Sequence, residues 1–293
     1  MEPQSTVLII DDTATNIGIL SACLQDTYHL KTAKSGKQGL KLANESPKPD
    51  LILLDVEMPG MNGYEVCQQL KSDSATFDIP VIFVTGRLDI KDEEKGFASG
   101  AVDYITKPIH PPLVVARVDT HITLKIQKDK LERMAMYDQL TELYNRHFLF
   151  KAAKQKISSS LRHEFPLSVM IIDIDLFKSI NDTHGHPSGD AVIRAIAKTL
   201  TSEFRGEDIA ARFGGEEFVV VMCNCDLENA KIKAEQLRDK IEKLRPIGIN
   251  TTVSIGLSQL DNEQESFAEL LEKADHALYT AKESGRNQVA FCG

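Results

Sequence analysis

Three short apolar runs constrain the fold of this chain most strongly, and they occupy residues 7–10, 51–54 and 81–84. Each run has the length of one β-strand, and segments with a helical period lie between them. Because neither face of these strands would carry a polar residue, the runs are typical of parallel strands that helices cover on both sides. The sequence therefore predicts a doubly wound α/β domain in the first part of the chain.

Polar side chains follow the predicted strands at the sheet edge where such folds bind their ligands. Asp11, Asp12 and Asp55 come directly after the first two runs, Thr85 follows the third, and Lys107 precedes a proline. Three carboxylates at one edge repel each other unless a divalent cation lies between them, and oxygen ligands favour magnesium. Asp55 would be available as a nucleophile toward a phosphoryl group, whose oxygens Thr85 and Lys107 could bind. The alternative is an acidic rim that only solvates the strand ends.

The segment 1–109 resembles a response-regulator receiver domain. The matching motifs are the Asp11 and Asp12 pair, LDVEMPGMNG at 54–63, Thr85, and YITKP at 104–108. The resemblance implies that Asp55 accepts a phosphoryl group from a cognate histidine kinase and that Asp11 and Asp12 help to hold magnesium. It also implies a switch that senses the phosphoryl group, formed by Thr85, Tyr104 and Lys107. In this family the bond between the lysine and the proline is often cis.

Residues 110–137 form the predicted joint between two domains. The segment contains no glycine, and its two prolines stand at the start, so we expect one long helix. Four apolar residues fall roughly on one stripe, which three polar residues interrupt: Leu113, Leu124, Leu131 and Met134, with Arg117, Thr120 and Gln127 between them. A spacer helix and a dimeric coiled stalk therefore both remain possible, and only the family resemblance favours the stalk.

The stretch RFGGEEF at 212–218 predicts a tight hairpin, because two glycines can take a positive φ and apolar runs at 209–211 and 218–221 flank them. The hairpin would place Glu216 and Glu217 at its tip. Adjacent carboxylates repel each other, so this pair becomes favourable when a cation or a proton lies between them. The stretch is thus a candidate metal site, and a solvated acidic turn is the alternative.

An apolar strand at 169–172 precedes Asp173, which offers a further carboxylate. Carboxylates from a strand end and a neighbouring hairpin can bracket the divalent ions that phosphoryl transfer needs. We expect a loop after this strand, with Lys178 as its cation and Asn181 and Asp190 as base-reading candidates. A carboxylate can accept hydrogen bonds from the N1 and N2 protons of guanine, a donor pair that adenine lacks.

Residues 138–293 resemble a GGDEF-type diguanylate cyclase. The matching motifs are DxLT at 138–141, NR at 145–146, DIDxFKxxND at 173–182, GHxxGD at 185–190 and GGEEF at 214–218. The resemblance implies an α+β fold of the cyclase palm type, with magnesium held by Asp173, the Ile174 carbonyl and Glu216. Glu217 would support the metal site, and either glutamate could take the proton from the attacking 3′-hydroxyl. The implied substrate-binding residues are Asn181 and Asp190 for guanine, with Phe177, Lys178, Lys282 and Arg286, of which the last two should share one helical face.

Arg205 and Asp208 match the RxxD motif with which many such cyclases bind their product, and five residues separate Asp208 from Gly214. Arg238 is a further candidate for this inhibitory site, while an ordinary surface pair is the alternative. Two residues depart from the family pattern. Glu142 stands where glycine is usual and His147 replaces a second arginine, and we expect both to affect packing or coupling to the stalk rather than chemistry.

The formal net charge of −9 argues against nonspecific binding to nucleic acid or to an anionic membrane. The first residues lack the pattern of a leader peptide and no apolar run approaches a membrane span, so we expect a cytoplasmic protein without membrane insertion. The five cysteines are odd in number and scattered, which indicates reduced packing residues. A DNA-binding response regulator conflicts with the acidic charge balance and with the absence of a recognisable helix-turn-helix motif.

The predicted function is that of a phosphorylation-regulated diguanylate cyclase. It would condense two GTP into cyclic di-GMP with release of pyrophosphate, use magnesium in both domains, and be inhibited by its product. One such site holds one GTP, so the enzyme would work as a homodimer. The alternative is a catalytically silent receptor that binds GTP or cyclic di-GMP and signals through a protein partner.

Overall fold

A computed structural model of the chain describes residues 4–86, 98–261 and 265–292. The chain divides into two compact units, Met1–Lys130 and Leu131–Gly293. Each unit has its own sheet and its own apolar core. Within the described ranges, every helix is too short or too polar to cross a lipid bilayer.

The first unit contains a five-stranded parallel sheet in the order β2-β1-β3-β4-β5. Its described elements are β1 (Thr6–Ile10), α1 (Ala14–Leu24), β2 (His29–Ala33), α2 (Gly36–Asn44), β3 (Leu51–Asp55), α3 (Gly63–Ser72), β4 (Val81–Thr85) and β5 (Asp103–Thr106). The three apolar runs are β1, β3 and β4, which confirms those predictions. The strand order is that of flavodoxin-like folds, so the doubly wound α/β class is confirmed as well.

The alternation of side chains along β1 builds the core of this unit on both faces of the sheet. Leu8 and Ile10 pack in one apolar cluster together with residues of α2 and α3. Val7 and Ile9 pack on the opposite face with residues of α1 and of the helix that follows β5. All five residues of β1 and of β3 are buried, as the unbroken apolar runs required.

The helix α4 (Pro111–Met136) confirms the single long helix predicted for the joint. Val114, Val118 and Ile122 are its buried residues, and they pack against the first unit's sheet. The apolar stripe is exposed at all four of its positions, Leu113, Leu124, Leu131 and Met134. Arg117, which interrupts the stripe, pairs through its guanidinium with Asp103 of the first unit at 2.6 Å.

The second unit contains a six-stranded mixed sheet in the order β11-β10-β7-β9-β8-β6. Its described elements are β6 (Tyr144–Asn145), α5 (Arg146–His163), β7 (Leu167–Ile174), α6 (Phe177–His184), α7 (His186–Glu203), β8 (Ile209–Gly214), β9 (Glu217–Cys223), α8 (Leu227–Leu244), β10 (Val253–Gln259), α9 (Phe267–Glu283) and β11 (Val289–Phe291), with a 3-10 turn at Pro246–Gly248. The central strand β7 pairs antiparallel with β9 and with β10. The α+β class predicted for this half is confirmed.

The expected loop between Asp173 and Asp190 is wrong, because the structure has the helices α6 and α7 there. Gly185, with φ of 80°, separates the two helices, and Pro187 stands in the first turn of the second. The polar and glycine-rich composition suggested a loop, but Phe177 and Ile180 bury one face of α6 in the core. Tertiary burial therefore overrides the weak local helix propensity of this segment.

Glu142 has a left-handed conformation with φ of 59°. A glycine adopts such a conformation without a steric penalty, whereas other residues are strained there. The glutamate in place of the usual glycine at position 142 therefore strains the backbone of this turn. For His147 nothing in the structure explains the change from arginine.

Candidate functional site

The first acidic cluster lies where β1 and β3, two neighbouring parallel strands, end. Carboxylate oxygens of Asp11, Asp12 and Asp55 all lie within 4.8 Å of one another, with Asp11 and Asp55 buried and Asp12 exposed. The backbone N–H of Thr13 and the Asn16 side chain donate to Asp11 and fix its orientation. The predicted convergence of the three carboxylates is thus present, and the oxygen donor set fits magnesium.

Lys107 supplies the positive charge of this cluster. Its Nζ lies 2.9 Å from Asp55 Oδ1 and 3.3 Å from Asp11 Oδ2, and the peptide bond to Pro108 is cis. Burial raises the pKa of Asp55; the hydrogen bond from Lys107 acts in the opposite direction, and the charge of Asp11 adds to the rise. One lysine therefore does not fully compensate two buried carboxylates, and a divalent cation would add what is missing.

Thr85 and Tyr104 occupy neighbouring strands in the same unit. Thr85 is the last residue of β4, and Tyr104 on β5 pairs in register with Phe83. Tyr104 is half-buried against the core, and the Arg117 guanidinium lies 5.8 Å from the centroid of its ring. The role of these residues as a switch stays a prediction.

The second acidic cluster is built on β7 and the β8–β9 hairpin. Asp173 on β7 pairs in register with Glu217 on β9, and the Ile174 N–H donates to the Glu216 carbonyl at 3.4 Å. The hairpin is confirmed, but only Gly215 has a positive φ, of 51°, and a bulge lies between Arg212 and Gly214. Glu216 is therefore in the turn itself, whereas Glu217 is already the first residue of β9.

Electrostatics in this cluster leave the carboxylates short of positive charge. Burial raises the pKa of Asp173; Lys282, with Nζ 2.8 Å from Asp173 Oδ2, opposes the shift, and Glu216 and Asp175 add to it. Burial and the charge of Asp173 also raise the pKa of Glu217. Among the residues that the structure describes, only the Asp11, Asp12 and Asp55 group has three possible ligand atoms within 4.8 Å of one another. The donors of the second cluster fit magnesium in chemical type, but they converge less closely.

Arg286 does not share a helical face with Lys282, so that prediction is wrong. Helix α9 ends at Glu283, Gly285 has φ of 119°, and Arg286 itself has φ of 64°. The Arg286 N–H donates to the Ala281 carbonyl at 3.1 Å, which is the helix-ending Schellman motif with glycine after the cap. The exposed Arg286 side chain thus begins beyond the helix.

The guanine candidates come from two helices that Gly189 allows to approach. A Cβ on Gly189 would overlap Asn181 Oδ1 and would lie 3.1 Å from Phe177 Cζ. Asn181 Oδ1 is buried and has no hydrogen-bond partner within the described part of the chain. Asp190, in the first turns of α7, lies 3.9 Å from Arg194. Phe177 is a buried core residue, and Lys178 is exposed.

The RxxD residues are joined through the backbone. Asp208 accepts from the Arg205 N–H at 3.1 Å and from the Cys223 N–H at 3.0 Å, so each of its oxygens has a partner. The Arg205 side chain is exposed, 3.6 Å from Glu207. Arg238 donates to Glu235, Glu242 and Asn287 on the surface of α8. The pairing of Arg238 with the RxxD motif stays a prediction.

Two residues near the second cluster were not predicted from sequence. Asp175 is buried and accepts from Thr252 Oγ1, Ser254 Oγ and the Asn287 N–H at 2.7, 2.6 and 3.0 Å. Arg212 donates to the Gly215 carbonyl at 2.8 Å and to Asp138 at 3.1 Å. The position of Asp175, two residues after Asp173 and directly after β7, was an available signal, whereas Asp138 is 74 residues from Arg212 and too distant in sequence to infer.

Comparisons with known proteins match a family to each part of the chain. The family described as "Diguanylate cyclase, GGDEF domain" matches residues 135–288, and "Response regulator receiver domain" matches 7–119. The response regulator PleD of Caulobacter vibrioides is 33% identical over 297 residues, which cover 97% of this chain and 65% of PleD, less than two thirds of its length. Diguanylate cyclase A of Treponema denticola is 33% identical over 263 residues, 83% of this chain and 69% of that protein.

Solved structures are also similar to part of this chain, and one of them covers 62% of it. It is the coiled coil and GGDEF domain of DgcB from Caulobacter crescentus in complex with c-di-GMP, with 28% identity and a TM-score of 0.55. The match covers 62% of this chain and 97% of that one. Diguanylate cyclase SiaD from Pseudomonas aeruginosa, in complex with its activator SiaC, matches with 33% identity and a TM-score of 0.52 over 61% of this chain and 70% of that one.

Proposed function

The chain belongs to the GGDEF family and carries a response-regulator receiver domain before its GGDEF domain, and from this we propose that it is a diguanylate cyclase. The enzyme condenses two GTP into cyclic di-GMP and releases pyrophosphate. The observation that carries the proposal is the register of β7 and β9, which sets Asp173 across from Glu217 in the same unit as Asn181 and Asp190. A phosphate-handling cluster and a guanine-reading pair are what this reaction needs.

Asp173, the Ile174 carbonyl and Glu216 would hold magnesium, with Glu217 in support. When bound, magnesium neutralises charge that develops on the phosphate oxygens. Glu216 or Glu217 takes the proton from the attacking 3′-hydroxyl, and burial and the charge of Asp173, which raise the pKa of Glu217, make that carboxylate a better proton acceptor than an ordinary glutamate. Glu217 is paired in register with Asp173, which supports a proton acceptor on the same side of the sheet as the metal ligands.

Guanine binds between α6 and α7. Asn181 offers an amide whose buried oxygen needs a donor, and Asp190 accepts from the N1 and N2 protons of the base. Phe177 packs beneath Gly189 and supports this pocket from the core side. Lys282 lies 2.8 Å from Asp173, near enough to bind phosphate oxygens that approach the carboxylates, and Lys178 and Arg286 complete the cationic set.

The enzyme works as a homodimer, because cyclic di-GMP forms by two attacks that join two bound GTP molecules. The exposed apolar stripe on α4 supports a second copy of the chain as partner, since such side chains gain by burial against their equivalents. We assign residues 1–109 to the receiver core, 110–137 to its last helix and the stalk, and 138–293 to the cyclase domain. The protein acts in the cytoplasm, where GTP is available.

Phosphorylation of Asp55 by a histidine kinase controls turnover. Asp11, Asp12 and Asp55 would hold magnesium, and Lys107, Thr85 and Tyr104 would respond to the phosphoryl group. This modification favours the dimer in which two loaded cyclase sites meet. Product inhibition rests on the exposed guanidinium of Arg205, which Asp208 positions through the Arg205 N–H, with Arg238 as a further contact.

The test is product analysis after incubation of the full chain with GTP and magnesium, with and without beryllium fluoride, for wild type and for Glu217→Gln. We expect cyclic di-GMP from wild type, more of it with beryllium fluoride, and a loss of roughly a hundredfold or more in Glu217→Gln. No product under either condition would sink the enzyme proposal and leave the silent receptor. Product that is indifferent to beryllium fluoride would overturn only the phosphorylation control.

A further inference from the structure

The segment 285–287 after helix α9 has an unusual backbone. Gly285, Arg286 and Asn287 are consecutive residues with positive φ, of 119°, 64° and 47°. Glycine takes this conformation freely and asparagine tolerates it, but arginine is strained there. Strain of this kind persists only where the surrounding contacts fix the segment.

Asn287 makes three hydrogen bonds that fix this segment, one through its backbone N–H and two through its side-chain amide. Its backbone N–H donates to Asp175 Oδ2 at 3.0 Å, its Nδ2 donates to Glu242 Oε1 at 3.0 Å, and its Oδ1 accepts from Arg238 Nη1 at 2.9 Å. Asn287 therefore bridges the end of β7, beside the acidic cluster, and the surface of α8.

The anchor at the end of β7 is rigid. Asp175 is buried, and the hydroxyls of Thr252 and Ser254 hold its carboxylate on the neighbouring strand. A charge-assisted hydrogen bond from a backbone N–H to such a carboxylate is among the stronger ones in proteins. The position of Asn287 is thus tied to the strand that carries Asp173.

We infer that Asn287 is a positioning residue that holds Arg286 for the substrate triphosphate, and that Arg238 acts on substrate binding through Asn287. The inference rests on the proposed function, in which Arg286 contacts phosphate. The Arg238 guanidinium divides its donors among Glu235, Glu242 and the neutral Asn287 amide. Because hydrogen bonds to a neutral acceptor are weaker than those to a carboxylate, a phosphate that competes for Arg238 releases Asn287 first.

Occupation of Arg238 by product would therefore loosen Arg286 and weaken GTP binding within the same domain. This route needs no second copy of the chain and no movement of the hairpin. It predicts that Arg238 affects the KM for GTP when no product is present, which a residue that only binds product would not do.

The experiment compares Asn287→Gly, Arg238→Ala and the double variant in the full chain, with kcat and KM for GTP measured at initial rates and product removed by a phosphodiesterase. Asn287→Gly keeps the positive φ and the N–H to Asp175 but loses both side-chain bonds. We expect KM to rise about tenfold in Asn287→Gly and about fivefold in Arg238→Ala, with kcat lowered less than about threefold. The double variant should not exceed the larger single effect, because both changes break one bridge.

Asn229→Ala is the matched control, since Asn229 makes exposed hydrogen bonds to Asp226 at the start of the same helix α8. It should leave KM unchanged. Effects that multiply in the double variant, or an unchanged KM in a folded Asn287→Gly, would overturn the inference. If Asn287→Gly does not fold, Arg238→Ala leaves the segment 285–287 chemically intact and still decides the question.

Binding of GTP, measured by calorimetry on the same variants, separates this inference from the proposed function. Wild type that binds GTP without turning it over contradicts the cyclase proposal alone. Variants that bind GTP as tightly as wild type contradict the role of Asn287, whatever the turnover.

Discussion

The two acidic clusters use similar side chains but differ in how the fold assembles them. In the receiver unit, Asp11 and Asp55 end neighbouring parallel strands, and Lys107 contacts both. In the cyclase unit, Asp173 and Glu217 face each other across antiparallel strands, and Lys282 pairs with Asp173. The carboxyl ends of parallel strands lie at one edge of the sheet, so the position of the first cluster does not depend on the conformation of the connecting turns. The position of the second cluster also depends on the conformation of the β8–β9 hairpin.

Because of this difference, we expect the receiver cluster to depend more strongly on its lysine for stability than the cyclase cluster does. The receiver oxygens lie within 4.8 Å of each other, so Asp11 and Asp55 repel each other in addition to the cost of their burial, and one lysine must compensate both buried groups. The cyclase carboxylates converge less closely, so less is lost when their lysine is absent. The removal of each lysine in turn measures the contrast directly.

The largest effect is expected from Lys107→Met, which keeps the length of the side chain and removes its charge. It leaves Asp55 and Asp11 buried without a cation, and should lower the free energy of unfolding of the receiver unit by about 2 kcal/mol without magnesium. Lys282→Met, at a more exposed lysine with one carboxylate partner, should cost the cyclase unit about 1 kcal/mol. Hydrogen exchange followed peptide by peptide reports each unit by itself.

Lys41→Met serves as the control for this pair, because Lys41 is exposed and its ion pair with Glu45 is 3.7 Å long. It should change stability by less than about 0.5 kcal/mol. Magnesium should recover more stability in Lys107→Met than in Lys282→Met. Equal costs for Lys107→Met and Lys282→Met would show that convergence of the carboxylates does not distinguish the two clusters.

A smaller effect concerns the pH dependence of the cyclase cluster. Burial raises the pKa of Glu217 above its usual 4.5, so the folded chain holds this proton more tightly than the unfolded chain does. The contribution to stability is then full below pH 4.5 and is lost as the pH rises through the raised pKa. Relative to wild type, Glu217→Gln should therefore gain stability over that window, as measured by urea unfolding with a chelator.

The pKa of Glu269 is shifted in the opposite direction to that of Glu217, so the pH dependence of its contribution to stability has the opposite sign. Hydrogen bonds from the Ser266 backbone and hydroxyl lower the pKa of Glu269 below 4.5, and its contribution is present above that pH and lost on acidification. Glu269→Gln should become less stable relative to wild type as the pH rises through the same region. Parallel pH profiles for the two variants would contradict both assignments.

The contrast between the clusters also explains what the sequence could predict. The β1, β3 and β4 strands and the convergence of Asp11, Asp12 and Asp55 follow from short apolar runs and one topological rule. The hairpin at 212–218 follows from local turn chemistry. These features depend on neighbours in the chain or on a fold-wide regularity, and both are visible in a single sequence.

The features that were missed depend on tertiary contacts. Helix α6 forms where glycine and polar residues suggested a loop, because the Ile180 side chain is buried in the apolar core. The hydrogen bond from Arg212 to Asp138 joins residues 74 positions apart, and no local sequence pattern predicts it. The end of α9 is different, since Gly285 is a helix-stop signal that was present and was outweighed by the spacing of Lys282 and Arg286.

The smallest effect is expected from Glu142→Gly, in the turn before the cyclase unit's first strand. Glu142 has φ of 59°, whereas the receiver unit places Gly60, with φ of 81°, in the turn after Asp55. A left-handed residue other than glycine costs about 1–2 kcal/mol, and glycine loses about 0.5–1 kcal/mol through chain entropy. Glu142→Gly should therefore stabilise the cyclase unit by about 0.5 kcal/mol, and Gly60→Ala should destabilise the receiver unit by about 1 kcal/mol, both by urea unfolding. A destabilised Glu142→Gly would contradict this prediction. It would mean that the 3.9 Å ion pair between Glu142 and Arg133, near the end of α4, contributes more to stability than the backbone strain costs. The turn would then serve to couple the stalk to the cyclase.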